Sequence, residues 1–134
     1  MLLVDTSVWA DFLNGFPSPE ADELVRAIHS EEDIGYPAII LQEVLQGIAR
    51  TAQRRKIRDD FQPFRYLPAS LETHLQAAEI YCACRARGVT VRKSVDCLIA
   101  AIALEHDVEL LEKDRDFRNI ARVFPLRLRA GSGI

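Results

Sequence analysis

The chain has 134 residues, 49% of them hydrophobic and 28% charged, with a net charge of −3 and three cysteines. This composition is that of one globular domain with a real core rather than of a disordered chain. No apolar run approaches the about 20 residues that span a bilayer, and the N-terminus lacks the basic segment, apolar core and cleavage site of a signal peptide.

Leu2 to Val4 is a short apolar run that ends in Asp5. Thr6 and Ser7 follow, and apolar spacing then resumes at Val8, Trp9, Phe12 and Leu13. The pattern predicts a buried strand feeding a helix, with Ser7 as N-cap. Asp5 is then at the carboxyl end of a strand, where open parallel sheets gather their reactive groups. After Pro17 and Pro19, helical spacing runs from Glu20 to Ser30. Ile34 to Tyr36 is a strand stopped by Pro37, and Ala38 to Ala49 is a strongly apolar helix. Glu43 lies in that helix beside Gln42 and Gln46. It either faces solvent with them or shares a cation, because a buried unpaired carboxylate is costly.

Arg50, Arg54, Arg55, Lys56, Arg58, Asp59 and Asp60 make the next stretch a charged one. It reads as a solvated helix face or as a phosphate- or partner-contacting edge. Phe64 to Leu67 is a strand ended by Pro68, and Ser70 caps a long helix that runs to Gly88. Cys82 and Cys84, two apart on that helix, point to different sides. With Cys97 they form no disulfide framework, which fits a reducing, cytoplasmic setting. His29, His74 and His106 make no ligand pair.

Ser94 caps a helix from Val95 to Glu105 that is apolar nearly all round and therefore buried. Asp96 sits in its first turn, where the helix dipole favours an anion. Val108 to Leu111 is another strand, and Glu112-Lys113-Asp114-Arg115-Asp116-Phe117 follows its carboxyl end. Val123 to Leu128 is a final edge strand, and Gly131 to Ile134 a loose tail. Short apolar strands separated by helices predict a single α/β domain, residues 1–134, with a parallel sheet of four to five strands.

Asp5, Glu43, Asp96 and Asp114, with Asp116 beside them, form a carboxylate set without histidine or cysteine. Such a set suits hard, oxygen-preferring cations such as Mg²⁺ or Mn²⁺. Without these five acids the rest of the chain is net positive, so the acidic total does not exclude an RNA substrate.

Four segments carry a resemblance: Leu3-Val4-Asp5-Thr6-Ser7-Val8-Trp9, Glu43-Val44-Leu45-Gln46-Gly47, Val91-Arg92 with Asp96-Cys97-Leu98-Ile99-Ala100-Ala101, and Asp114-Arg115-Asp116-Phe117. In this order and spacing they resemble the PIN-domain ribonucleases, specifically the VapC-type toxins of type II toxin–antitoxin pairs. The resemblance implies a three-layer α/β/α sandwich and a Mg²⁺- or Mn²⁺-dependent endoribonuclease leaving a 5′-phosphate and a 3′-hydroxyl. Asp5 and Asp96 would be the principal metal ligands, with Glu43 and Asp114 completing the pocket directly or through water. Thr6 would orient Asp5 or contact a metal-bound water, and Asp116 would assist or anchor the turn before Phe117. Arg92 would meet the RNA backbone. A cognate VapB antitoxin and a homodimer are implied partners, the dimer by way of the helices at residues 20–30 or 38–49. Arg50, Arg54, Arg55, Lys56, Arg85, Arg87 and Lys93 are candidate RNA or antitoxin contacts. Many members carry Thr or Ser where this chain has Glu112, and Glu112 is expected to point outward, because Lys113 and Arg115 make its loop look solvated.

Two other acidic-pocket α/β folds fail on residues. A response-regulator receiver needs an acidic pair after the first strand, and Asp5 has no acidic neighbour. A haloacid-dehalogenase-type phosphatase needs an Asp at position 7, which is Ser7. A PIN domain that has lost catalysis and serves as a binding module usually lacks a pocket acid, and none is missing here.

Overall fold

Three consecutive apolar residues with no polar alternation make a strand buried on both faces, which places it at the centre of a parallel sheet. In the computed structural model, which describes residues 1–132, that strand is β1 (Leu2–Val4), with its residues no more than 1% exposed. β2 (Ile34–Tyr36) and β4 (Glu109–Leu111) pair on either side of it, with Leu2 opposite Ile34 and Val4 opposite Leu111. β3 (Arg65–Tyr66) and β5 (Leu128–Arg129) form the edges. The all-parallel order is β3-β2-β1-β4-β5. The chain thus winds outward from β1 in one direction, then returns to continue on the other side. The strand order reverses between β1 and β4, and the crevice beyond their carboxyl ends is where such sheets place ligands.

Among the described residues seven helices cover the sheet: α1 (Thr6–Asn14), α2 (Pro19–His29), α3 (Ala38–Gln46), α4 (Thr51–Asp60), α5 (Leu71–Ala86), α6 (Ser94–His106) and α7 (Arg115–Ala121). The expected α/β/α sandwich is what forms. α6 is its most buried helix, with seven residues from Asp96 to Ala103 shielded from solvent, and it packs along α5. α1 packs on α2 and α3. Trp9 on α1 lies 4.8 Å from Phe61 and 5.7 Å from Phe64, centroid to centroid, so an aromatic cluster ties α1 to the end of α4.

Several boundaries differ from the expectation for physical reasons. α1 begins at Thr6 with Asp5 as its N-cap, and the Asp5 carbonyl accepts from the Val8 and Trp9 N–H groups, so Ser7 is inside the helix. Lys93, not Ser94, caps α6. α3 stops at Gln46 rather than Ala49, and Arg54 reaches back to bond the Ile48 and Ala49 carbonyls at 2.6 and 2.8 Å. Residues 123–127 are not strand: the N–H groups of Val123 and Phe124 bond the Ile120 carbonyl and wrap the end of α7, and Pro125 then breaks any ladder.

The tail is not loose as far as it is described. Ser132 N–H donates to the Pro19 carbonyl at 2.7 Å, and its hydroxyl bonds Glu23 on α2. The approach requires glycine at 131, where a Cβ would fall 2.6 Å from the Pro19 carbonyl carbon. Residues 133 and 134 of that expected tail lie outside the described residues.

Candidate active site

The crevice between β1 and β4 gathers the acids. Asp5 leaves β1, with its N–H bonded to Leu111 at the end of β4. It is buried, and Ser7 donates a hydroxyl to its Oδ2 at 2.9 Å. Thr6, expected to orient Asp5, instead donates to Glu43 Oε1 on α3 at 2.7 Å. The two hydroxyls divide the work, because adjacent residues at a helix start point to different sides. Glu43 is half-buried and faces the pocket rather than solvent. The part played by Ser7 was missed at the sequence level, where it served as a cap; its signal is a hydroxyl two residues after a strand-ending carboxylate.

Asp96, Asp114 and Asp116 each offer a carboxylate oxygen, and these oxygens lie within 4.8 Å of one another. Asp116 is therefore a member of the acidic group as well as the anchor of a turn. Its two oxygens accept the Arg92 N–H at 3.1 Å, and Oδ2 also accepts the Lys93 N–H at 3.0 Å. Asp114 caps α7 by accepting the Asp116 N–H at 2.9 Å. Asp5 stands outside this closest trio, but its charge acts on Asp96.

The electrostatics separate the acids. Burial, then a hydrogen bond shared with Asp116, pushes the Asp96 carboxyl up to about 8, against the pull of Lys93. Burial also raises Asp5, and the neighbouring Glu43 adds to it. Burial pushes on Asp114 too, but the Asp116 N–H and the Lys93 ammonium outweigh it and hold that carboxyl below its ordinary value. Asp116 is likewise held down, by the Arg92 and Lys93 N–H groups, despite burial. Asp96 is accordingly the acid of this trio whose charged form is disfavoured, beside Asp114 and Asp116, whose charged forms are favoured. Asp96 Oδ2 is buried and has no hydrogen-bond partner among the described residues. Buried polar atoms are nearly always satisfied, so a carboxylate oxygen left open toward other carboxylates fits a hard divalent cation.

Glu112 points inward, contrary to the expectation. It is 7% exposed, and Arg118 on α7 bonds both of its oxygens at 3.2 and 3.1 Å. Lys113 is only partly exposed, since it pairs with Asp11 and lies 5.3 Å from the Phe16 ring centroid, while Arg115 is exposed.

The basic candidates separate as well. Arg92 and Lys93 stand at the pocket, with Arg92 Nη2 3.3 Å from Asp114 Oδ1 and Lys93 Nζ 2.6 Å from Asp114 Oδ2. Arg85 lines a cavity with Tyr81 and residues 88–91, just ahead of them. Arg50, Arg55 and Arg87 are exposed, Arg54 is used on the α3 carbonyls, and Lys56 pairs with Asp60 at 2.9 Å. Cys82 is exposed and Cys84 and Cys97 are buried, all free thiols.

Residues 2–123 match the PIN domain family. The chain belongs to the PIN-domain family, in its VapC branch. It is 36% identical over 140 residues to VapC ribonuclease Mb1587 of Mycobacterium bovis and equally to ribonuclease VapC11 of Mycobacterium tuberculosis, covering 95% of this chain and 96% of each relative. This PIN domain also shares its fold with VapBC2 of Rickettsia felis, solved bound to a promoter DNA fragment, at 18% identity, 96% coverage of both chains and a TM-score of 0.74. FitAcB of Neisseria gonorrhoeae gives 21%, 96% of both chains and 0.72. VapC20 of M. tuberculosis, a sarcin-ricin loop cleaving toxin, gives 18%, 95% of this chain, 99% of that one, and 0.68.

Proposed function

We propose that this PIN domain is a divalent-metal-dependent endoribonuclease, the toxin of a VapBC pair, held inactive by a cognate VapB antitoxin. The observation that carries the reading is the open, buried Asp96 Oδ2 facing Asp114 and Asp116 at the sheet's switch point. Asp5 and Asp96 are the proposed principal ligands, with Glu43, Asp114 and Asp116 closing the pocket directly or through water. A bound Mg²⁺ or Mn²⁺ would activate water and stabilise the charge that develops on a phosphodiester.

The protein's own part is to hold these acids in place. Ser7 fixes Asp5, Thr6 fixes Glu43 across to α3, and the Arg92 and Lys93 backbone fixes Asp116. Arg92, two-thirds exposed at the rim, presents its guanidinium to an approaching phosphate. The site of action in this reading is the cytoplasm. The described residues contain no helix long and apolar enough to cross a membrane. A homodimer belongs to the same reading. Leu71, Leu75 and Tyr81 on α5, 74%, 51% and 37% exposed, offer more apolar surface for it than Val25 on α2 at 36%.

The test is a map of new 5′-phosphate RNA ends after brief induction without antitoxin, beside in vitro cleavage with Mg²⁺ or with EDTA. Cleavage that vanishes in EDTA and in Asp96→Asn and Asp5→Asn is the expected result. Growth arrest without new ends would instead favour a binding module.

A further inference from the structure

The acids of the pocket are not left to repel one another. Lys93 Nζ lies 2.6 Å from Asp114 Oδ2 and 3.9 Å from Asp96 Oδ2, the buried oxygen without a hydrogen-bond partner. The other nearby cation, Arg92, addresses different oxygens: Asp114 Oδ1 at 3.3 Å and Asp116 Oδ1 at 3.6 Å. Lys93 is thus the positive charge placed between the two carboxylates on which a divalent ion would also draw.

The anchoring of Lys93 makes this charge removable. Its backbone is fixed, because it caps α6 and gives its N–H to the buried Asp116. Its side chain is 56% exposed. A lysine stem is flexible and its ammonium is a point charge without the planar fork that would lock it to one carboxylate. The ammonium can leave for solvent with no change in the backbone, at the cost of its ion pairs with Asp114 and Asp96.

Resting on the metal-dependent reading above, we propose that Lys93 is a built-in counter-cation that competes with the divalent metal for the Asp96–Asp114 pair. In the metal-free protein it neutralises the pocket and supports the fold. Metal uptake displaces it to the rim. The pocket therefore takes metal more weakly than its acids alone dictate, and metal occupancy and Lys93 position are two faces of one equilibrium.

The experiment is Mn²⁺ binding to the metal-free full chain at one fixed pH, followed by paramagnetic resonance of free Mn²⁺ and by calorimetry. Wild type, Lys93→Gln and Lys93→Arg are compared. Lys93→Gln should bind about tenfold more tightly, since a unit charge a few ångströms from the ion is removed, while its metal-free Tm falls. Lys93→Arg should keep the metal-free Tm near wild type and bind Mn²⁺ no more tightly than wild type, since its planar fork holds the charge on the carboxylates. Equal or weaker Mn²⁺ binding by Lys93→Gln overturns the proposal and leaves the nuclease reading intact; a purely structural lysine would lower the Tm without tightening the metal. Wild-type protein that takes up no Mn²⁺ overturns both. A measurement free of variants is the ¹⁵N resonance of the Lys93 ammonium, which should shift to that of a solvated lysine as Mg²⁺ saturates. An unmoved resonance at saturation also overturns the proposal.

Discussion

Thr6 donates its hydroxyl to Glu43 Oε1 at 2.7 Å, joining the start of α1 to the middle of α3. Among the described residues it is the one side-chain hydrogen bond of Glu43, and it turns that acid from the solvent side of α3 toward the pocket. Thr6→Val keeps the shape and removes the donor. Activity should fall about 10- to 100-fold, the range seen when partners of metal-site carboxylates are lost. Far-UV circular dichroism should be unchanged, because Thr6 is only half-buried. Thr6→Ser should restore most of the rate. Single-turnover cleavage with the three proteins checks this.

Glu112 and Arg118 make the second such pair, and here the consequence is for stability. Removing the guanidinium leaves a carboxyl that is 7% exposed and already raised by burial. Arg118→Met should cost about 1–3 kcal/mol, the penalty of an unsatisfied buried polar group. Glu112→Gln added to it should recover part of that loss, giving a non-additive cycle. Urea unfolding followed by the fluorescence of the single tryptophan, Trp9, measures all three variants.

The positions of Asp5, Glu43, Asp96 and Asp114 stood out in the sequence, at a strand end, within an apolar helix, at a helix start and after a strand, but each had an ordinary structural reading by itself and the family resemblance joined them. The central strands were equally plain, since Leu2–Val4 and Val108–Leu111 are short, mainly apolar runs between polar punctuation, and β4 begins one residue later, at Glu109. What was not legible depends on tertiary partners. α7 is seven residues long and carries only Phe117 and Ile120 as large buried apolar groups, too little periodicity to announce a helix. Without α7, Arg118 has no direction and Glu112 looks solvated. Lys93 was legible only as a candidate RNA or antitoxin contact, because the carboxylate it meets arrives from a loop beyond β4.

The pKa values give opposite signs of pH dependence at the two ends of the scale. Asp96 is raised from 3.8 to about 8 in the folded protein. Between those values the folded state holds the extra proton, so its contribution to stability is full below the lower value and is lost as pH rises toward about 8. Glu23 is lowered from 4.5 to about 2 by its bond to Arg26, against burial. Its contribution is present above 4.5 and is lost as pH falls toward about 2. In EDTA the Tm should therefore decline from mildly acidic pH toward about 8, and fall again in strong acid. Saturating Mg²⁺ should flatten or reverse the upper decline, because the ion selects the ionised Asp96. Thermal scans across pH with and without the metal read this directly.

Arg129 tests what holds the far edge of the sheet. On β5 it is 16% exposed and meets Glu32 and Glu109 at 2.7 Å each and Glu23 at 3.4 Å. β5 contributes only two residues to the ladder, so this guanidinium, rather than backbone bonding, is what fastens the edge strand to α2. Truncating it leaves Glu23 and Glu32 to Arg26, and Glu109 to the charges of Arg127 and the N-terminus. Removing one partner of a fully buried ion pair costs about 3–5 kcal/mol, but Glu32 and Glu109 are 24% and 35% exposed. Arg129→Met should therefore cost less, about 1–3 kcal/mol at low salt. Lys at 129 should recover only part, since a point charge cannot bond three carboxylates as the planar fork does. Arg129 lies on the opposite side of β4 from β1, so Mn²⁺ affinity should hold in protein kept below its lowered Tm. A drop in metal affinity matching the loss in stability would mean that the pocket and this edge fold as one unit.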